Sequence, residues 1–578
     1  MNKTALKNFA TNARRELIKK VEAKALKIGI TEENIKKAQI ESSDAIYIDG
    51  KQLSITEKKQ RDKLIQRIKD IGFKQVVEEV AYTWFNRFIA LRFMEVNNYL
   101  PTKVRVLSSS NPDSPEPDII KEALSVDLDI DKELVYELKV NNKTEELYKY
   151  LIIKQCNSLN KYLPFLFETI EDYKEILFPE GLLAKDSFLR EMTDTEKIPE
   201  SDWEQVEIIG WLYQYYIAEE KDRVIKAKKK YKKEEIPFAT QLFTPDWIVR
   251  YMVQNTLGRY WIESHPEHRD LIKNWEFYLE NPNPEPDFEE KLAPFINKDL
   301  KVEDIKCFDP AMGSGHILVY MFDVLYEIYR RCGYMEREIP RLIIENNLYG
   351  LDIDDRAYQL SCFSVVMKAL QYNNRFFRSI EREGLKLNLA SIQETNQFND
   401  DDIAVLAGEK HGSKYELVND FIKQFRDAKT FGSLIKIGVY DEEFLLGRYV
   451  NVLNNPGTDI FEASLRQKII DLLPALIKQA EIMNKDYDIT ITNPPYMGGR
   501  YMPNELSEFI SCNYPNYKGD LFSSFINLVC EKTKRNGHIG LVTPYVWMFI
   551  KNYLQLRKEL VTNCHRRNII DPGAPKRK

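Results

Sequence analysis

Apolar residues recur at helical spacing through the first part of the chain, which predicts amphipathic helices. The first such pattern comprises Leu6, Phe9, Ala10, Ala13, Leu17 and Val21. "SITE" at 54–57 has the form of a capping box and predicts a helix that ends near Gly72. The next helical pattern ends at Pro101, and we expect its aromatic residues to lie in a core: Trp84, Phe85, Phe88 and Phe93. Residues 1–235 are therefore predicted to form a mainly α-helical N-terminal domain.

After Pro237, short apolar runs of β type alternate with helical patterns, which predicts an α/β fold with a mostly parallel sheet and crossover helices. The predicted strands are 306–310, 347–353, 487–495 and 537–544. Residues from about 372 to 485 are too many for one connection, so a helical insertion is predicted there. The second domain is expected to span 236–560. The polar residues 561–578 are predicted to be a disordered tail.

The composition is that of a soluble globular protein, with 578 residues, 43% of them hydrophobic and 30% charged. Because the chain has neither a long apolar run nor a signal-peptide core, we expect a cytoplasmic protein without membrane contact. The seven cysteines are scattered and never form a CxxC pair, which argues for reduced thiols and against a metal site. The net charge of −6 does not favour nucleic-acid binding. A local basic stretch, such as 221–237, would have to supply it.

The first candidate chemical site is the glycine-rich turn in "CFDPAMGSGHIL" (307–318). Gly313 and Gly315 permit a tight turn and a close approach of a ligand to the backbone. The turn lacks the pattern of a phosphate-binding loop, and Asp309 before it would repel phosphate and attract an ammonium group. These features predict S-adenosylmethionine as the ligand. Asp352, at the end of the next predicted strand, would bond the ribose hydroxyls, although a solvated strand end is the alternative for this residue alone.

The second candidate site is "NPPY" (493–496), at the carboxyl end of the predicted strand 487–495. The Asn493 side-chain oxygen and the Pro494 carbonyl are two hydrogen-bond acceptors, and Pro494 and Pro495 hold them stiffly. Such a pair suits a planar amino group, and Tyr496 offers a face on which the ring bearing that group can stack. We predict a direct, in-line methyl transfer to the amine that requires no metal. The alternative is a Pro-Pro turn that only ends a strand.

A third segment, "LFTP" (242–245), precedes a helix predicted to begin near Pro245. Phe243 would cover the sulfonium or adenine side of the cofactor, and Thr244 would bond its carboxylate. From the residues alone, Thr244 is equally well explained as the N-cap of the helix.

The ordered segments "LFTP", "FDPAMGSG", "YGLDID" and "NPPY" resemble motifs X, I, II and IV of the γ-type amino-methyltransferases, which methylate N6 of adenine in DNA. The N-terminal stretches further resemble the PglX family of BREX phage-defence systems. The resemblance implies a Rossmann-like, S-adenosylmethionine-dependent methyltransferase domain, duplex DNA as substrate and other BREX proteins as partners. It also implies that the target adenine is held by residues 493–496. The implied cofactor residues are Phe243, Thr244, Asp309, Ala311, Gly313, Gly315 and Asp352.

Members of that family continue far past motif VI, whereas this chain ends in "CHRRNIIDPGAPKRK". We therefore expect a shortened chain, and "LNLASIQE" (387–394) departs from the usual motif III. Three alternatives remain open. They are a protein-glutamine methyltransferase, a silent chain that binds cofactor or partners without methylating DNA, and a fused nuclease that uses Asp118, Glu137 and Lys139 in a PD…ExK pattern.

Overall fold

The fold is described from a computed structural model that covers residues 1–37, 40–41, 45–48, 51–111, 113–168, 173–280, 284–455, 457, 459–564 and 568–570. The chain divides into two compact units. Unit 1 comprises Met1–Glu219 and Cys362–Leu385, and unit 2 comprises Glu220–Ser361 and Lys386–Lys578. None of the helices in the described part of the chain combines the length and the apolar character needed to cross a bilayer.

The first 226 residues are mainly helical. They also contain a small antiparallel sheet, in the order β1-β2-β3, formed by β1 (Ile40–Glu41), β2 (Ala45–Ile48) and β3 (Lys51–Ser54). The helices are α1 (Lys3–Lys27), α2 (Ile55–Ile71), α3 (Phe73–Val96), α4 (Asp118–Lys121), α5 (Lys132–Val140), α6 (Thr144–Leu159), α7 (Tyr173–Ile176), α8 (Phe188–Thr193), α9 (Glu200–Trp203), α10 (Glu207–Tyr216) and α11 (Ala218–Lys226).

The helix predictions for this region are confirmed. Helix α1 buries all six apolar residues of the first pattern, because they lie on one face of the helix. Ser54 accepts a hydrogen bond from the Glu57 backbone N–H, and the Glu57 carboxylate accepts one from Ser54, which completes the capping box of α2. Helix α3 ends before Pro101, and its four aromatic residues named above are all buried. The aromatic pattern therefore belongs to the core of unit 1.

Unit 2 is built on a parallel sheet with the strand order β6-β5-β4-β7-β8. The strands are β4 (Cys307–Asp309), β5 (Leu348–Asp352), β6 (Asn388–Ser391), β7 (Tyr487–Thr492) and β8 (Thr533–Leu541). Each neighbouring pair is parallel, and Phe308 of β4 pairs with Thr490 of β7. The predicted α/β fold with a parallel sheet is confirmed. Chain order along the sheet reverses at β4 and β7, which makes their carboxyl ends the expected ligand site.

Further helices precede, connect and follow these strands along the chain. They are α12 (Ile236–Thr240), α13 (Asp246–Val253), α14 (Arg259–Ser264), α15 (Phe288–Leu292), α16 (His316–Arg331), α17 (Ile339–Leu342), α18 (Asp355–Tyr372), α19 (Phe376–Glu383), α20 (Asp400–Ala407), α21 (Ser413–Lys423), α22 (Ala428–Phe431), α23 (Glu442–Asn454), α24 (Ile460–Asn484), α25 (Asn504–Asn513), α26 (Leu521–Lys532) and α27 (Leu554–Asn563).

The predicted domain limits need correction. The units divide after Glu219 rather than after 235, and residues 362–385 group with unit 1. The reason is apolar packing, since Phe363 meets Phe93 edge-on and Phe377 stacks on Tyr162 within unit 1.

The predicted helical insertion at 372–485 and the predicted tail also differ from the structure. The insertion contains strand β6 at residues 388–391, and its own helices α20–α24 follow that strand. Of the predicted tail, residues 561–563 continue α27. Residues 571–578 lie outside the described residues.

Candidate active site

The glycine turn lies between β4 and α16, and its two glycines have different surroundings. Both have a positive φ, +55° at Gly313 and +84° at Gly315, which L side chains rarely adopt. A Cβ on Gly315 would approach Ser361 Oγ to 2.6 Å, whereas a Cβ on Gly313 would meet nothing within 4 Å. Gly315 therefore serves close packing of the helix start. Gly313 borders open space, as a ligand-binding turn requires.

Asp309 ends β4 and is almost fully buried, with 1% of its surface exposed. Its Oδ1 accepts a hydrogen bond of 3.0 Å from the Ala311 backbone N–H. Its Oδ2 has no hydrogen-bond partner among the described residues. Burial raises the pKa of Asp309 to about 7, although the nearby Thr492 hydroxyl and the Ala311 N–H favour the charged form. Neither Asp309 Oδ2 nor Thr492 Oγ1 has a hydrogen bond of normal geometry to any described residue. The carboxyl group thus keeps one acceptor for a further partner.

Asp352 ends β5 and holds the glycine turn. One carboxylate oxygen accepts a hydrogen bond of 2.8 Å from the Gly313 N–H, and the other accepts one of 2.8 Å from the Asp354 N–H. Burial raises the pKa of Asp352 to about 7. These bonds do not fit a solvated strand end. They place the carboxyl group directly beside the open side of the turn.

The "LFTP" segment contacts His316 at the start of α16. The sequence analysis did not identify this residue as a candidate. The Phe243 ring stacks on His316, with centroids 4.8 Å apart and an interplanar angle of 9°. His316 Nδ1 donates to the Thr244 carbonyl oxygen over 3.1 Å, and its Nε2 lies 3.5 Å from Asp246 Oδ1. His316 directly follows Gly315. It thereby joins the segment to the glycine turn.

Thr244 does not cap the following helix, so the N-cap interpretation is wrong. Helix α13 has Pro245 at its N-cap position and no side-chain capping bond. The buried Thr244 Oγ1 instead accepts a hydrogen bond of 3.1 Å from Asn493 Nδ2. This bond joins two candidate segments that are 249 positions apart in sequence.

The "NPPY" segment presents its acceptors at the carboxyl end of β7. The Tyr496 hydroxyl lies 2.9 Å from Asn493 Oδ1 and 3.0 Å from the Val542 carbonyl oxygen. In the described part of the chain, the Pro494 carbonyl accepts no hydrogen bond. Since Nδ2 is engaged by Thr244, Asn493 directs its oxygen to the side of Tyr496. The two predicted acceptors therefore occur together, and one of them is open.

Two further anchors of the site escaped the sequence interpretation. Asp520 Oδ1 accepts hydrogen bonds from the Met497 N–H at 2.9 Å and the Phe522 N–H at 3.3 Å, so it caps α26 and holds the residue after Tyr496. An aspartate before a helical pattern is a typical N-cap signal, which could have identified it. Ser433, from the insertion, donates to the Pro310 carbonyl oxygen over 2.5 Å. No short-range signal identifies that contact.

The residues near the expected motif III bind a neighbouring carboxylate. Ser391 Oγ and Gln393 Nε2 both donate to Asp355 Oδ1, the latter over 2.8 Å. Lys429 Nζ also bonds Asp355, over 2.7 Å. Ser391 and Gln393 therefore stabilise the ends of β5 and β6 and are not available to bind a ligand.

The nuclease pattern does not form a metal site. Its residues lie on helices, whereas PD…ExK sites need their carboxylates on adjoining strands. Asp118 in α4 accepts hydrogen bonds of 2.7 Å from the Ser109 hydroxyl and the Ser110 N–H, while Glu137 and Lys139 lie on α5. Throughout the ranges that the structure describes, no cluster of three or more His, Cys, Asp or Glu residues is suited to hold a metal ion.

The parallel sheet, its strand order and the polar groups at the β4 and β7 ends define a Rossmann-like methyltransferase fold. Residues 346–576 match the family model of the Eco57I restriction-modification methylase. The chain is 38% identical to the adenine-specific methyltransferase BrxX of Escherichia coli O9:H4 (strain HS), over 97% of this chain and 48% of that protein. It is also 38% identical to the adenine-specific methyltransferase PglX of Lacticaseibacillus casei (strain Zhang), with the same two coverages. The predicted resemblance to the PglX family is confirmed.

A more distant relative is the putative type II restriction enzyme and methyltransferase RM.MjaORFECS2P of Methanocaldococcus jannaschii. It is 23% identical over 57% of this chain and 34% of that protein. The chain spans about half the length of the two curated relatives at 38% identity.

Proposed function

We propose that this chain transfers a methyl group from S-adenosylmethionine to N6 of an adenine flipped out of duplex DNA. The observation that carries the proposal is the pair of acceptors at Asn493 and Pro494. They follow β7, which pairs directly with β4, and β4 ends in the half-unpartnered Asp309. The proposed amine acceptors and the carboxylate proposed to bind a cation would thus share the carboxyl end of one sheet.

The residues around the glycine turn fit the proposed cofactor. Asp309 Oδ2 is a buried acceptor without a hydrogen-bond partner in the part of the chain that the structure describes, and the space before Gly313 is open. Asp309 would hold the cationic amino-acid portion, and Asp352 would accept from ribose hydroxyls beside the turn. Phe243, held by its stack on His316, would shield the methyl-bearing end. Ala311 contributes its N–H to Asp309 and so orients the carboxylate. When bound, S-adenosylmethionine supplies an electrophilic methyl group on a positively charged sulfur.

The acceptor residues would orient the adenine amino group. Its two hydrogens would be donated to Asn493 Oδ1 and the Pro494 carbonyl, which leaves the nitrogen lone pair directed at the methyl carbon. The Tyr496 hydroxyl can donate its hydrogen to the Val542 carbonyl oxygen, which leaves Asn493 Oδ1 available to the adenine amino group. The Tyr496 ring would stack on the adenine, and Pro495 would limit movement of the segment. No covalent enzyme intermediate is required.

Base flipping follows from the position of N6, which cannot reach these groups inside a duplex. Unstacking costs a few kcal/mol, and stacking on Tyr496 with the two new hydrogen bonds would offset it. The likeness to the PglX family extends the proposal to a BREX phage-defence system in the cytoplasm, with duplex DNA as substrate and further defence proteins as partners.

The test is a methylation assay on the purified chain. Unmethylated plasmid DNA and bulk protein are each offered with labelled S-adenosylmethionine, and the nucleosides are analysed by mass spectrometry. N6-methyladenine is the expected product, and Asn493→Ala should remove it while cofactor affinity is kept. Labelled methyl groups on protein glutamine would contradict the proposal and identify a protein-glutamine methyltransferase instead. Cofactor binding without any transfer would favour the silent chain. Mapping N6-methyladenine in genomes with and without the gene then identifies the DNA sequence that is methylated.

A further inference from the structure

An exposed basic segment is attached to the loop that follows "NPPY". Residues 226–233 read KAKKKYKK and run from the last residue of α11 towards α12. The Tyr231 N–H donates to the Tyr501 carbonyl oxygen over 2.9 Å, and the two tyrosine rings stack with centroids 5.5 Å apart and planes within 9°. Lys230 Nζ also donates to Asn504 Oδ1 over 2.6 Å. Three contacts therefore hold the segment against residues 501–504, which follow the proposed amine site along the chain.

A second cation-bearing segment meets the same loop from the other side. The Gly499 N–H donates to the Gly519 carbonyl oxygen over 3.2 Å, which places the backbone of Lys518 next to this turn. Arg500 lies in the loop itself, with its guanidinium carbon 4.5 Å from the Tyr501 ring centroid. Basic residues from three separate stretches of the chain are thus connected through residues 499–501.

Some of these cations are already neutralised, and others are not. Lys226 pairs with Asp222 at 3.3 Å, and Lys233 pairs with Glu394 at 2.6 Å. In contrast, Lys228, Lys229, Arg500 and Lys518 are exposed and form no ion pair with any residue that the structure describes. Lys230 is also exposed, and its contact is with the neutral Asn504 side chain. In a chain of net charge −6, such a local excess of positive charge is suited to an anionic partner.

The backbone at Lys228 adds an independent observation. Its φ is +49°, in the left-handed region that L side chains rarely adopt. A glycine would adopt this turn readily. The chain nevertheless has a lysine there.

We propose that Lys228, Lys229, Arg500 and Lys518 form a phosphate clamp that holds the backbone of the DNA strand carrying the target base. The inference rests on the proposed function and assigns its DNA-binding surface. A nucleotide whose base reaches Tyr496 brings its own phosphate and its neighbours' to the rim of that loop. Phosphate contacts of this kind position a strand without reading its sequence. The Tyr231 stack keeps the clamp in register with the amine site.

The charge test compares two double variants with the same change in net charge. Lys228→Gln/Lys229→Gln removes two clamp residues. Lys410→Gln/Lys423→Gln removes two exposed lysines of the insertion and is the control. Binding of a short labelled duplex is measured by fluorescence anisotropy over a range of salt concentrations. The clamp variant should lower the slope of log affinity against log salt by about 2, since each phosphate contact contributes about 1. The control should keep the slope of the unmodified chain.

The outcomes separate the clamp from the proposed function. A lowered slope in the clamp variant supports the clamp even if no adenine is methylated, and in that case only the proposed function fails. Equal slopes for both double variants overturn the clamp even if the chain methylates DNA. A chain that does not bind the duplex also overturns it.

The positioning test changes Tyr231. Tyr231→Phe keeps the ring that stacks on Tyr501, whereas Tyr231→Ala removes it. We expect Tyr231→Ala to raise the KM for DNA severalfold and to lower the salt slope, with cofactor affinity unchanged. Tyr231→Phe should behave as the unmodified chain does. Equal KM values and slopes for the two variants would show that the stack does not position the clamp.

Discussion

Thr244 fixes the direction of the Asn493 side chain. An amide can turn its oxygen or its nitrogen to either side, and only its neighbours decide between the two. Because Thr244 Oγ1 accepts from Asn493 Nδ2, the amide oxygen is directed to where the adenine amine is proposed to bind. Thr244 therefore has a second use beside its predicted contact with the cofactor carboxylate. The two uses predict different kinetic effects.

The first prediction concerns Thr244→Val, which keeps the shape of the side chain and removes the acceptor. If Thr244 orients Asn493, single-turnover methylation should slow by about 10- to 100-fold, as expected for the loss of a buried hydrogen bond of roughly 1–3 kcal/mol. Thr244→Ser keeps the hydroxyl and should retain the rate. Titration of S-adenosylmethionine completes the measurement. If Thr244→Val weakens cofactor binding and leaves the rate at saturation intact, Thr244 serves the cofactor instead.

The second prediction concerns pH and Asp309. In the cofactor-free protein the pKa of Asp309 is raised from 3.8 to about 7, so the group is protonated below that pH. A cationic ligand favours the ionised form, and binding at lower pH must therefore release a proton. Affinity for S-adenosylmethionine should fall as pH decreases below about 7, by up to about tenfold for each pH unit.

Calorimetric titrations across this pH range provide the measurement for the Asp309 prediction. Asp309→Asn cannot ionise, so it should bind the cofactor weakly and show a smaller dependence on pH. An unchanged pH profile in Asp309→Asn would assign the proton to another group. Asp352 is the first candidate, because its pKa is also raised to about 7.

At the scale of elements, helix α26 stabilises the segment that carries the acceptors. Its N-cap residue, Asp520, bonds the first turn of the helix and the Met497 N–H with the same oxygen. The Leu521 N–H in turn donates to the Met497 carbonyl oxygen over 3.0 Å. Met497 is thereby held through both its N–H and its carbonyl. The position of Tyr496 depends on the start of a helix that follows it by more than twenty residues.

The third prediction compares two helix caps. Asp520→Ala and Ser54→Ala each remove an N-cap, and each should lower the free energy of unfolding by about 0.5–2 kcal/mol in urea titrations. Only Asp520→Ala should also slow methyl transfer, because Ser54 caps α2 in unit 1. Asp520→Asn keeps a capping oxygen and should retain most of the rate. Equal rates for both alanine variants would contradict the positioning role.

The sequence predicted elements well where one local pattern determines them. Four strands of the sheet were predicted because each is a short apolar run that ends in polar or turn residues. Strand β6 has only four residues and lies in a stretch dominated by helical patterns, so the sequence analysis did not predict it. Strand β8 begins at Thr533, earlier than predicted, because Thr533 pairs with Tyr487 ahead of an irregularity, after which the pairing resumes at His538.

The candidate site, like the strands, was predicted only where short motifs contain its residues. Asp309, Asn493 and the two glycines belong to short motifs, so their residue types alone suggested their chemistry. His316, Ser433 and the use of Thr244 as a partner of Asn493 depend on contacts between distant positions. Ser433 and Pro310, for example, are 123 positions apart. Folding determines such contacts, and no periodicity in the sequence encodes them.

At the scale of the whole molecule, every candidate cofactor and acceptor residue belongs to unit 2. Unit 1 has its own core of large aromatic side chains, in which Phe88 is fully buried and packs against Trp84 and Phe188. Substitutions in the two cores should therefore separate effects on stability from effects on ligand binding.

The fourth prediction uses one phenylalanine from each unit. Phe88→Ala should lower the free energy of unfolding by about 3–5 kcal/mol through the cavity that it leaves. Below the unfolding transition it should leave cofactor affinity unchanged. Phe525→Ala, in the cluster that includes Tyr496, should lower both stability and methyl transfer. Denaturant titrations and calorimetry provide the two measurements. Loss of cofactor affinity in folded Phe88→Ala would contradict the assignment of the site to unit 2 alone.

Strand β4 pairs on one side with a strand made much later in synthesis. Lys306, next to β4, donates to a carboxylate oxygen of Asp488 that is 182 positions further on. At about 5–20 residues per second, a ribosome needs roughly 10–40 s to make that stretch. Throughout this interval the apolar strand β4 lacks its partner on one side, although β5, its partner on the other side, is made early in it. We expect arrested chains that end before β7 to be cut readily near β4 by a protease pulse, and chains released after β8 to resist it.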